Sequence, residues 1–390
     1  MRLEIALVSE TFFPEVNGVA MTVGRLVDGL RERGHRVEVI RPRQTHDDRG
    51  GRDERVVPGL PLPGYYGLRF GLPAGGQLTR RWRQRRPDLV HVVTEGPLGW
   101  SAVSAAQRLG IPVTSSFHTN FDRYSAYYGV GWLRPAVAAY LRALHRRTLL
   151  TMVPTAALAA DLAGGGVDGV RVVGRGVDTG LFDPARRSAE LRASWGVGPG
   201  RPACLYVGRL APEKNLDLVL RSFAAIQRRH PGARLIWVGD GPAAARLASE
   251  PRQQHFAGMR TGVDLATHYA SADIFLFPSL TETYGNVVAE AMASGLPVVA
   301  YRSAAAAELI VHRYNGAVAM PGDEAAYIAA AEWLLADRER LADVALNARA
   351  SMLSRSWGGV VEAFERVVHE AIALSCRSSI GSVPLPAHHG

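Results

Sequence analysis

Residues 203–230 read ACLYVGRLAPEKNLDLVLRSFAAIQRRH, and they contain the repeating unit of the whole chain. The apolar run from Ala203 to Val207 has the length of a buried strand and ends at a glycine. After a short loop, apolar residues recur at helical spacing from Leu216 to His230. The stretch therefore predicts one strand, one loop and one helix of a parallel sheet.

Strand-like and helical segments alternate in the same way along the rest of the chain. Further strand-like runs are Leu3 to Ser9, Arg36 to Ile40, Asp88 to Val93, Pro112 to Phe117, Leu149 to Pro154, Arg234 to Val238, Asp273 to Phe277 and Pro297 to Ala300. This pattern favours an α/β fold of parallel sheets with helices on both faces. The Gly-, Asp- and Pro-rich segment 174–184 is expected to connect two doubly wound domains, 1–180 and 181–355. Because ligands bind such sheets beyond the carboxyl ends of the strands, we expect a binding cleft between the domains.

The end of the chain divides into two parts. Residues 356–374 carry apolar side chains at helical spacing, so we expect a helix that buries one face. Residues 376–390 contain Ser, Pro, Gly and two histidines, and we expect a disordered tail.

The composition is that of a soluble globular protein. Of the 390 residues, 47% are hydrophobic and 21% are charged. Neither a signal peptide nor an apolar run of about 18 residues is visible, so we expect no membrane-spanning helix. Two cysteines, Cys204 and Cys376, give no disulfide framework and suit a reducing cytoplasm.

Positive charge is concentrated in the first half of the chain. Residues 1–180 hold 24 arginines against 16 acidic residues, a net charge of +8, whereas the rest of the chain has a net charge of +1. Such a surface suits an anionic membrane, an acidic substrate or nucleic acid. The run 80–86 (RRWRQRR) is interpreted as the solvated end of a surface helix, although its tryptophan permits membrane docking. No nucleic-acid-binding motif accompanies the charge, so we expect no nucleic-acid partner.

Lys214 is the only lysine among 45 basic side chains. An ammonium is a compact point charge, whereas the guanidinium of Arg209 is a planar fork. Together the two suit the oxygens of a phosphate group. The alternative is a chance surface lysine near the start of a helix.

The segment 277–292 (FPSLTETYGNVVAEAM) has the richest chemistry. It predicts a strand end, a polar turn that holds Glu282, and a helix that starts near Gly285. The first amides of that helix form an anion site, and a carboxylate beside it suits the hydroxyl groups of a sugar. Alternatively, Glu282 interacts with the helix dipole and Glu290 is a solvated helix residue.

Several motifs spread over both predicted domains occur together in this chain. They are Glu282 with Glu290 in a Glu-x7-Glu spacing, Gly208 and Arg209 with Lys214, the turn 239–242 (GDGP), the segment 14–19 (PEVNGV) and the segment 117–119 (FHT). The set resembles the retaining, family 4 nucleotide-sugar glycosyltransferases, which include GDP-mannose-dependent α-mannosyltransferases and sulfoquinovosyl and other lipid glycosyltransferases. The resemblance implies a GT-B fold, in which two Rossmann-like domains face each other across a cleft. It also implies that the helix 356–374 crosses back onto the N-terminal domain.

The resemblance assigns a role to each matching residue. Arg209 and Lys214 would bind the donor diphosphate beside Gly208 and stabilise the charge that grows there as the glycosidic bond breaks. Glu282 would hold the sugar hydroxyls and Glu290 the ribose diol. His118 would be a catalytic residue near the transferred sugar on the acceptor side, or is a structural histidine at a strand end. The remaining positions would contact the donor through backbone or side chain, and they are Gly18, Met259, Arg260, Gly285, Asn286 and Val287. Arg260 would offer a fork to guanine, which favours GDP over UDP, or is a solvated loop residue.

The chemistry implied by the resemblance needs no further cofactor. No side chain is an obvious covalent nucleophile, which suits a front-face mechanism in which the departing phosphate oxygen takes the acceptor proton. The chain has no Asp-x-Asp motif, so we expect no metal requirement, with Lys214 and Arg209 in the place of the cation.

The acceptor side is defined less sharply. An aromatic and polar cluster follows His118 and either lines a lipid or sugar site or packs within a helix; its members are Asn120, Phe121, Asp122, Arg123, Tyr124, Tyr127, Tyr128 and Trp132. The expected function is transfer of a hexose, best mannose from GDP-mannose, to a lipid or glycan acceptor, in the cytoplasm or at the cytoplasmic face of a membrane. One alternative is a glycolipid synthase that uses a UDP-sugar, either glucose or sulfoquinovose. Another is a non-catalytic protein that binds nucleotide sugars or nucleic acid.

Overall fold

The computed structural model describes residues 2–15, 17–61, 69–118, 134–250 and 253–380. These residues form two compact units. The first contains the described residues up to 174 together with those from Trp357 onward, and the second runs from Arg175 to Ser356.

The first unit is built on a parallel sheet of seven strands in the order β3-β2-β1-β6-β7-β8-β9. The strands are β1 Glu4–Val8, β2 Arg36–Pro42, β3 Glu54–Val57, β6 Leu89–Val92, β7 Val113–Ser116, β8 Leu150–Val153 and β9 Val170–Val172, with a separate antiparallel pair, β4 Gly59–Pro61 and β5 Arg69–Gly71. Its helices are α1 Gly18–Glu32, α2 Gly75–Gln84, α3 Pro97–Arg108, α4 Arg134–His145, α5 Ala156–Gly164 and α14 Trp357–Ile380.

The second unit is built on a parallel sheet of six strands in the order β12-β11-β10-β13-β14-β15. The strands are β10 Ala203–Val207, β11 Arg234–Val238, β12 Gln254–Gly258, β13 Ile274–Phe277, β14 Val298–Tyr301 and β15 Ala317–Ala319. The helices are α6 Ala189–Ser194, α7 Leu216–Arg229, α8 Ala244–Ala248, α9 Gly262–Ser271, α10 Asn286–Ala293, α11 Ala304–Leu309, α12 Glu324–Leu335 and α13 Arg338–Met352. Two parallel α/β sheets were predicted from the alternation of segments, and they are confirmed.

The strands at the centre of each sheet are buried along their whole length. Every residue of β10, β13 and β14 is buried, which explains why these segments are continuous apolar runs rather than alternating ones. Trp237, Tyr206 and Phe275 are among the largest fully buried side chains of the second unit. Burial on both faces fixes where each strand ends, and hence where the loops that follow it begin.

Helix α14 packs against the first unit, as the family resemblance implied. Its apolar stripe is buried there, and the stripe consists of Val361, Phe364, Val367, Val368 and Ala371. Gly29 of α1 lies so close that a Cβ atom at this position would be 2.5 Å from Val361 Cγ2. Glu365 adds an ion pair with Arg33 at 2.8 Å and a contact with His35 Nε2 at 3.0 Å.

The same helix corrects one expectation about the tail. It continues to Ile380, so the first residues of the predicted disordered segment 376–390 are helical. Ile372 and Leu374, just before this segment, pack against the core of the first unit, and the helix continues beyond them. Residues 381–390 lie outside the described part of the chain.

The basic run 80–86 lies on and just after helix α2, a surface helix. Its aromatic residue, Trp82, is only 1% exposed and belongs to the core, so it is not available to enter a membrane. Arg81 binds Glu38 at 2.9 Å and Arg85 binds Glu4 at 2.9 Å, whereas Arg80 and Arg83 are exposed. Within the described ranges, no helix has both the length and the apolar character needed to cross a bilayer.

Candidate active site

The strand order of the second unit brings two polar loops together. Strand β10 lies between β11 and β13. The chain adds β11 and β12 on one side of β10 and then adds β13, β14 and β15 on the other side, so the direction of strand addition reverses at the β10/β13 boundary. The carboxyl ends of these two strands are adjacent, and the crevice outside them is where open α/β sheets bind ligands. The loop after β10 carries Gly208, Arg209 and Lys214, and the loop after β13 carries Glu282 and Gly285.

Lys214 and Glu282, which are 68 positions apart in sequence, form an ion pair across this boundary. The ammonium donates to Glu282 Oε1, and Ser279 Oγ donates to the same oxygen at 2.8 Å. The side chains of Lys214 and Glu282 are only 12% and 15% exposed. The structure therefore brings together the cation that was predicted to bind phosphate and the carboxylate that was predicted to bind sugar.

The backbone around the ion pair is tied on both sides. Lys214 ends the short 3-10 turn Pro212–Lys214, and Asn215 adopts a left-handed conformation with φ 55° and ψ 44°. Thr281 Oγ1 donates to the carbonyl of Glu213 at 3.5 Å, and Asn215 Nδ2 donates to the carbonyl of Pro278 at 3.5 Å. These long hydrogen bonds connect the two loops and set the position from which Lys214 reaches Glu282.

Arg209 lies near a buried acidic residue that the sequence analysis missed. Its Nη1 atom is 3.8 Å from Glu213 Oε1, and the Glu213 side chain is 1% exposed whereas that of Arg209 is 34% exposed. A buried carboxylate next to a guanidinium holds the guanidinium in place and partly offsets its charge. The available signal was an acidic residue directly before the single lysine.

The turn 239–242 has a packing role that its sequence did not reveal. Gly239 N donates to the carbonyl of Gly258 at 2.9 Å, while Leu210 N donates to the carbonyl of Asp240 at 2.9 Å. A Cβ atom on Gly241 would lie 2.5 Å from the carbonyl oxygen of Leu210. The glycines of this turn therefore permit direct backbone contact between the loop after β11 and the loop that carries Arg209.

Helix α10 begins directly at the site. Gly285 precedes it with φ 89° and ψ 67°, a left-handed conformation that favours glycine. Asn286 and Val287 occupy the first turn, where backbone N–H groups point out of the helix. A Cβ atom on Gly285 would be 3.4 Å from Glu282 Cγ, so the turn packs closely against the paired carboxylate.

Glu290 faces a partner on the neighbouring helix α9. Tyr269 donates to its Oε2 atom at 3.0 Å. Burial raises the pKa of the Glu290 carboxyl to about 7, although the hydrogen bond from Tyr269 acts in the opposite direction. Glu290 is therefore not a fully solvated helix residue, and its charge changes near neutral pH.

Met259 and Arg260 follow strand β12 in the same unit. Met259 is 61% exposed, so its side chain is available to a ligand. Arg260 donates to the carbonyl of Ala257 at 2.8 Å and to Asp264 Oδ2 at 3.0 Å. The Arg260 guanidinium is thus held by its own loop and helix.

The two predicted positions Gly18 and His118 belong to the first unit. Gly18 starts α1, and Asn17 caps this helix by accepting from Val19 N at 3.1 Å and Ala20 N at 2.9 Å. His118 is half-buried two residues after strand β7. The acceptor cluster predicted after His118 falls in residues 119–133, which lie outside the described part, as does Val16.

A half-buried acidic network supports the loop before Gly18. Glu10 accepts from Leu98 N at 3.1 Å and also from Gly71 N, and burial raises its pKa to about 7. Glu15 accepts from Gln44 Nε2 at 2.7 Å and from Thr11, and burial raises its pKa as well. The sequence analysis missed this network, because its members come from four separate segments.

In the parts of the chain that the structure covers, no three His, Cys, Asp or Glu residues are grouped so that they would hold a metal ion. Independence from metal stays a prediction.

Known proteins resemble this chain over nearly its whole length. The family model "Glycosyltransferase Family 4" matches residues 16–181, and "Glycosyl transferases group 1" matches residues 201–337. A GDP-mannose-dependent alpha-mannosyltransferase of Mycobacterium tuberculosis is 36% identical over 91% of this chain and 93% of its own. An alpha-monoglucosyldiacylglycerol synthase of Streptococcus pneumoniae is 28% identical over 81% of this chain and 75% of its own.

Solved structures support the same fold. Sucrose-phosphate synthase from Thermosynechococcus elongatus superposes with a TM-score of 0.78 at 20% identity, covering 96% of this chain and 100% of its own. At this level of identity the likeness concerns the fold alone.

Proposed function

Because the chain belongs to the group 1, family 4 glycosyltransferases, a retaining family with the GT-B fold, we propose that it transfers mannose from GDP-mannose to a glycolipid. The observation that carries the proposal is the grouping of Lys214, Arg209 and Glu282 at the β10/β13 boundary. It offers two cations for a diphosphate and a carboxylate for hydroxyl groups at adjacent positions. The similarity to a GDP-mannose-dependent enzyme supports mannose as the sugar.

Leaving-group stabilisation is the main catalytic contribution in this proposal. Arg209 and Lys214 bind the diphosphate, and the first amides of α10 at Asn286 and Val287 add their dipoles. These groups stabilise the negative charge that develops on the departing phosphate oxygen. Removing one such cation typically lowers the rate by ~100-fold or more.

The two acidic residues orient the donor. Glu282 accepts hydrogen bonds from the sugar hydroxyls, and Glu290 accepts from the ribose diol. The exposed Met259 borders the base. Gly208 and Gly285 allow the backbone to approach the ligand without interference from a side chain.

Proton transfer in a retaining front-face reaction involves the leaving group itself. The departing phosphate oxygen takes the proton of the acceptor hydroxyl, which then attacks the anomeric carbon from the same face. Gly18, the first residue of α1, and His118, two residues after β7, are proposed to contact the sugar or acceptor. Positioning and electrostatics, rather than a covalent intermediate, account for catalysis.

The acceptor is a glycolipid reached from the aqueous phase at a membrane surface. The net charge of +8 in residues 1–180 suits an anionic lipid surface. Arg80 and Arg83 of α2 are exposed. Among the described residues, no acidic side chain forms an ion pair with either of them, so their charges can attract an anionic lipid surface. The similarity to a diacylglycerol-glycosylating enzyme supports a lipid acceptor. The location that follows is the cytoplasmic face of a membrane, with peripheral attachment.

A nucleotide-sugar panel tests the proposal. Purified protein is mixed with GDP-mannose, UDP-glucose or UDP-sulfoquinovose, and its melting temperature and nucleotide release are measured with and without a glycolipid acceptor. GDP-mannose is expected to give the largest stabilisation, and nucleotide release is expected to depend on the acceptor. Stabilisation without release under any condition would support a non-catalytic binding protein. A preference for a UDP-sugar would correct the donor.

A further inference from the structure

We infer that Glu282 is a specificity-determining residue that makes the site prefer an intact nucleotide sugar over the free nucleoside diphosphate. The reason is that Glu282 competes with the diphosphate for the ammonium of Lys214. This inference rests on the proposed function, and it adds a role for Glu282 beyond holding the sugar.

The ion pair of Lys214 with Glu282 is shielded from water and oriented by a neighbouring side chain. Lys214 and Glu282 are largely shielded from water, since their side chains are 12% and 15% exposed. Solvent screens such a pair less than it screens a pair on the surface. Ser279 Oγ donates to the same carboxylate oxygen at 2.8 Å and holds that oxygen toward the lysine. A ligand that takes Lys214 therefore has to replace a shielded, oriented interaction.

Lys214 can exchange Glu282 for a phosphate oxygen by rotation of its side chain alone. The loops on either side are joined by the contacts of Thr281 with Glu213 and of Asn215 with Pro278. A Cβ atom on Gly285 would be in van der Waals contact with Glu282 Cγ, so the turn before α10 also borders this side chain. Lys214 has a flexible stem with rotatable donors, so it can turn from the carboxylate to a phosphate oxygen while the backbone stays in place.

The intact nucleotide sugar and the free diphosphate differ in whether they supply a partner for Glu282. When an intact nucleotide sugar binds, its phosphate takes Lys214 and its hydroxyl groups donate to Glu282, so both charges keep a partner. When the free diphosphate binds, it takes Lys214 but brings no hydroxyl group to Glu282. The carboxylate then loses its cation in a shielded position next to a phosphate anion, which is unfavourable. Glu282 therefore weakens binding of the product and promotes its release when Lys214 returns.

Calorimetric titration of Glu282→Gln with GDP and with GDP-mannose tests the inference. Glutamine keeps the shape but lacks the charge that attracts Lys214. We expect GDP to bind the variant about fivefold more tightly than it binds the wild type. We expect GDP-mannose to bind it no more tightly than it binds the wild type. The preference for the intact donor would thus fall.

Two further variants make the test specific. Ser279→Ala removes the hydroxyl that orients Glu282 and should shift the preference in the same direction by a smaller factor. Glu290→Gln serves as the matched control, because both ligands carry the ribose that Glu290 is proposed to hold. It should change the two affinities by the same factor and leave their ratio unaltered. Melting curves establish that each variant is folded.

The outcomes separate this inference from the proposed function. Unchanged or weaker GDP binding in both Glu282→Gln and Ser279→Ala would overturn the inference, even if the enzyme transfers mannose. The titrations are repeated with UDP and UDP-glucose. If the wild type binds only UDP and UDP-glucose, the assignment of GDP-mannose as the donor is wrong. The inference is then tested by the ratio of the affinities for UDP and UDP-glucose. If the wild type binds none of the four nucleotides, the proposed function fails and the inference fails with it.

Discussion

A Cβ atom on Gly239 would lie 2.0 Å from the carbonyl oxygen of Gly208, so the loops after β10 and β11 meet backbone to backbone. The contact is reinforced by a hydrogen bond from Gly208 N to the carbonyl of Val238 at 3.0 Å. Gly239 has a φ of 131°, a conformation that residues with a side chain rarely adopt. The loop that presents Arg209 and Lys214 is therefore positioned by a glycine from a different loop.

Replacing Gly239 with alanine tests this relationship. The methyl group has to push the loops apart, so we expect a loss of about 1 to 3 kcal/mol in the free energy of unfolding. We also expect at least tenfold lower transferase activity, because Arg209 and Lys214 are displaced. Denaturant unfolding and initial rates are the measurements. Gly76→Ala is the matched control, since a Cβ atom at Gly76 would meet no other atom within 4 Å.

Lys214→Arg tests whether the site needs a point charge or only a positive charge. The side chain is 12% exposed and its ammonium meets one oxygen of Glu282, so a planar guanidinium has little room there. We expect turnover to fall by ~10- to 100-fold while the melting temperature changes little. The exposed Arg338 provides a control for the reverse exchange in Arg338→Lys. Undiminished turnover in Lys214→Arg would show that the solitary lysine reflects base composition of the gene.

The buried carboxyl of Glu290 predicts a dependence of stability on pH. In the folded state the pKa of this carboxyl is about 7, above the ordinary value of 4.5. As pH rises from 4.5 to 7, the unfolded chain therefore releases the proton while the folded state still holds it. Stability linked to this group therefore falls as pH rises through that window. Glu290→Gln should melt like the wild type at pH 5 and at a higher temperature than the wild type at pH 8. Glu32→Gln, an exposed position, should show no such difference, and equal behaviour of both variants at pH 8 would contradict the prediction.

Removal of metal ions should leave the reaction unaffected. In this proposal Arg209 and Lys214 stabilise the leaving diphosphate, which is the task that a bound cation performs in other enzymes. Initial rates are measured after dialysis against EDTA and again after Mg²⁺ or Mn²⁺ is restored. A rate that falls by more than about tenfold and recovers with the metal would contradict the assignment to the two side chains.

Membrane attachment should depend on Arg80 and Arg83 more than on their neighbours. Arg81 and Arg85 are paired with Glu38 and Glu4, so their charges are partly neutralised within the protein. We expect the double change of Arg80 and Arg83 to Gln to weaken sedimentation with vesicles that contain anionic lipid. Each exposed arginine near such a surface contributes ~1 kcal/mol.

The matched comparison neutralises Arg228 and Arg302, which are exposed residues of the second unit. That pair should leave vesicle binding at the wild-type level. If both double variants sediment like the wild type, α2 has no part in membrane contact.

The sequence was informative where the physics is local. The strand 203–207 lies where its apolar run predicted it, and the helix predicted at 216–230 ends one residue earlier. Burial on both faces of a parallel sheet produces that signal directly in the sequence. Lys214 and Glu282 were each predicted to bind a ligand from the residue type and its position after a strand, and these roles stay predictions.

Relationships between distant segments were not predictable in this way. The proximity of Lys214 to Glu282, the burial of Glu213 and the contact of Tyr269 with Glu290 all depend on which strands are neighbours. Strand order in a doubly wound sheet follows from the packing of the whole domain, so a single sequence does not reveal it. The three-residue strands β4, β5, β9 and β15 were missed for a related reason, since three residues carry too little periodicity. The four-residue strand β3 was missed as well.

The docking of α14 on α1 also has a consequence for protein synthesis. The first unit takes α14 from a segment that follows the whole second unit in the chain, since the second unit runs from Arg175 to Ser356. During translation, the apolar stripe of α1 that receives Val361 and Phe364 therefore stays uncovered until the second unit has been synthesised. An incomplete first unit exposes apolar surface over this interval, and such surface promotes aggregation.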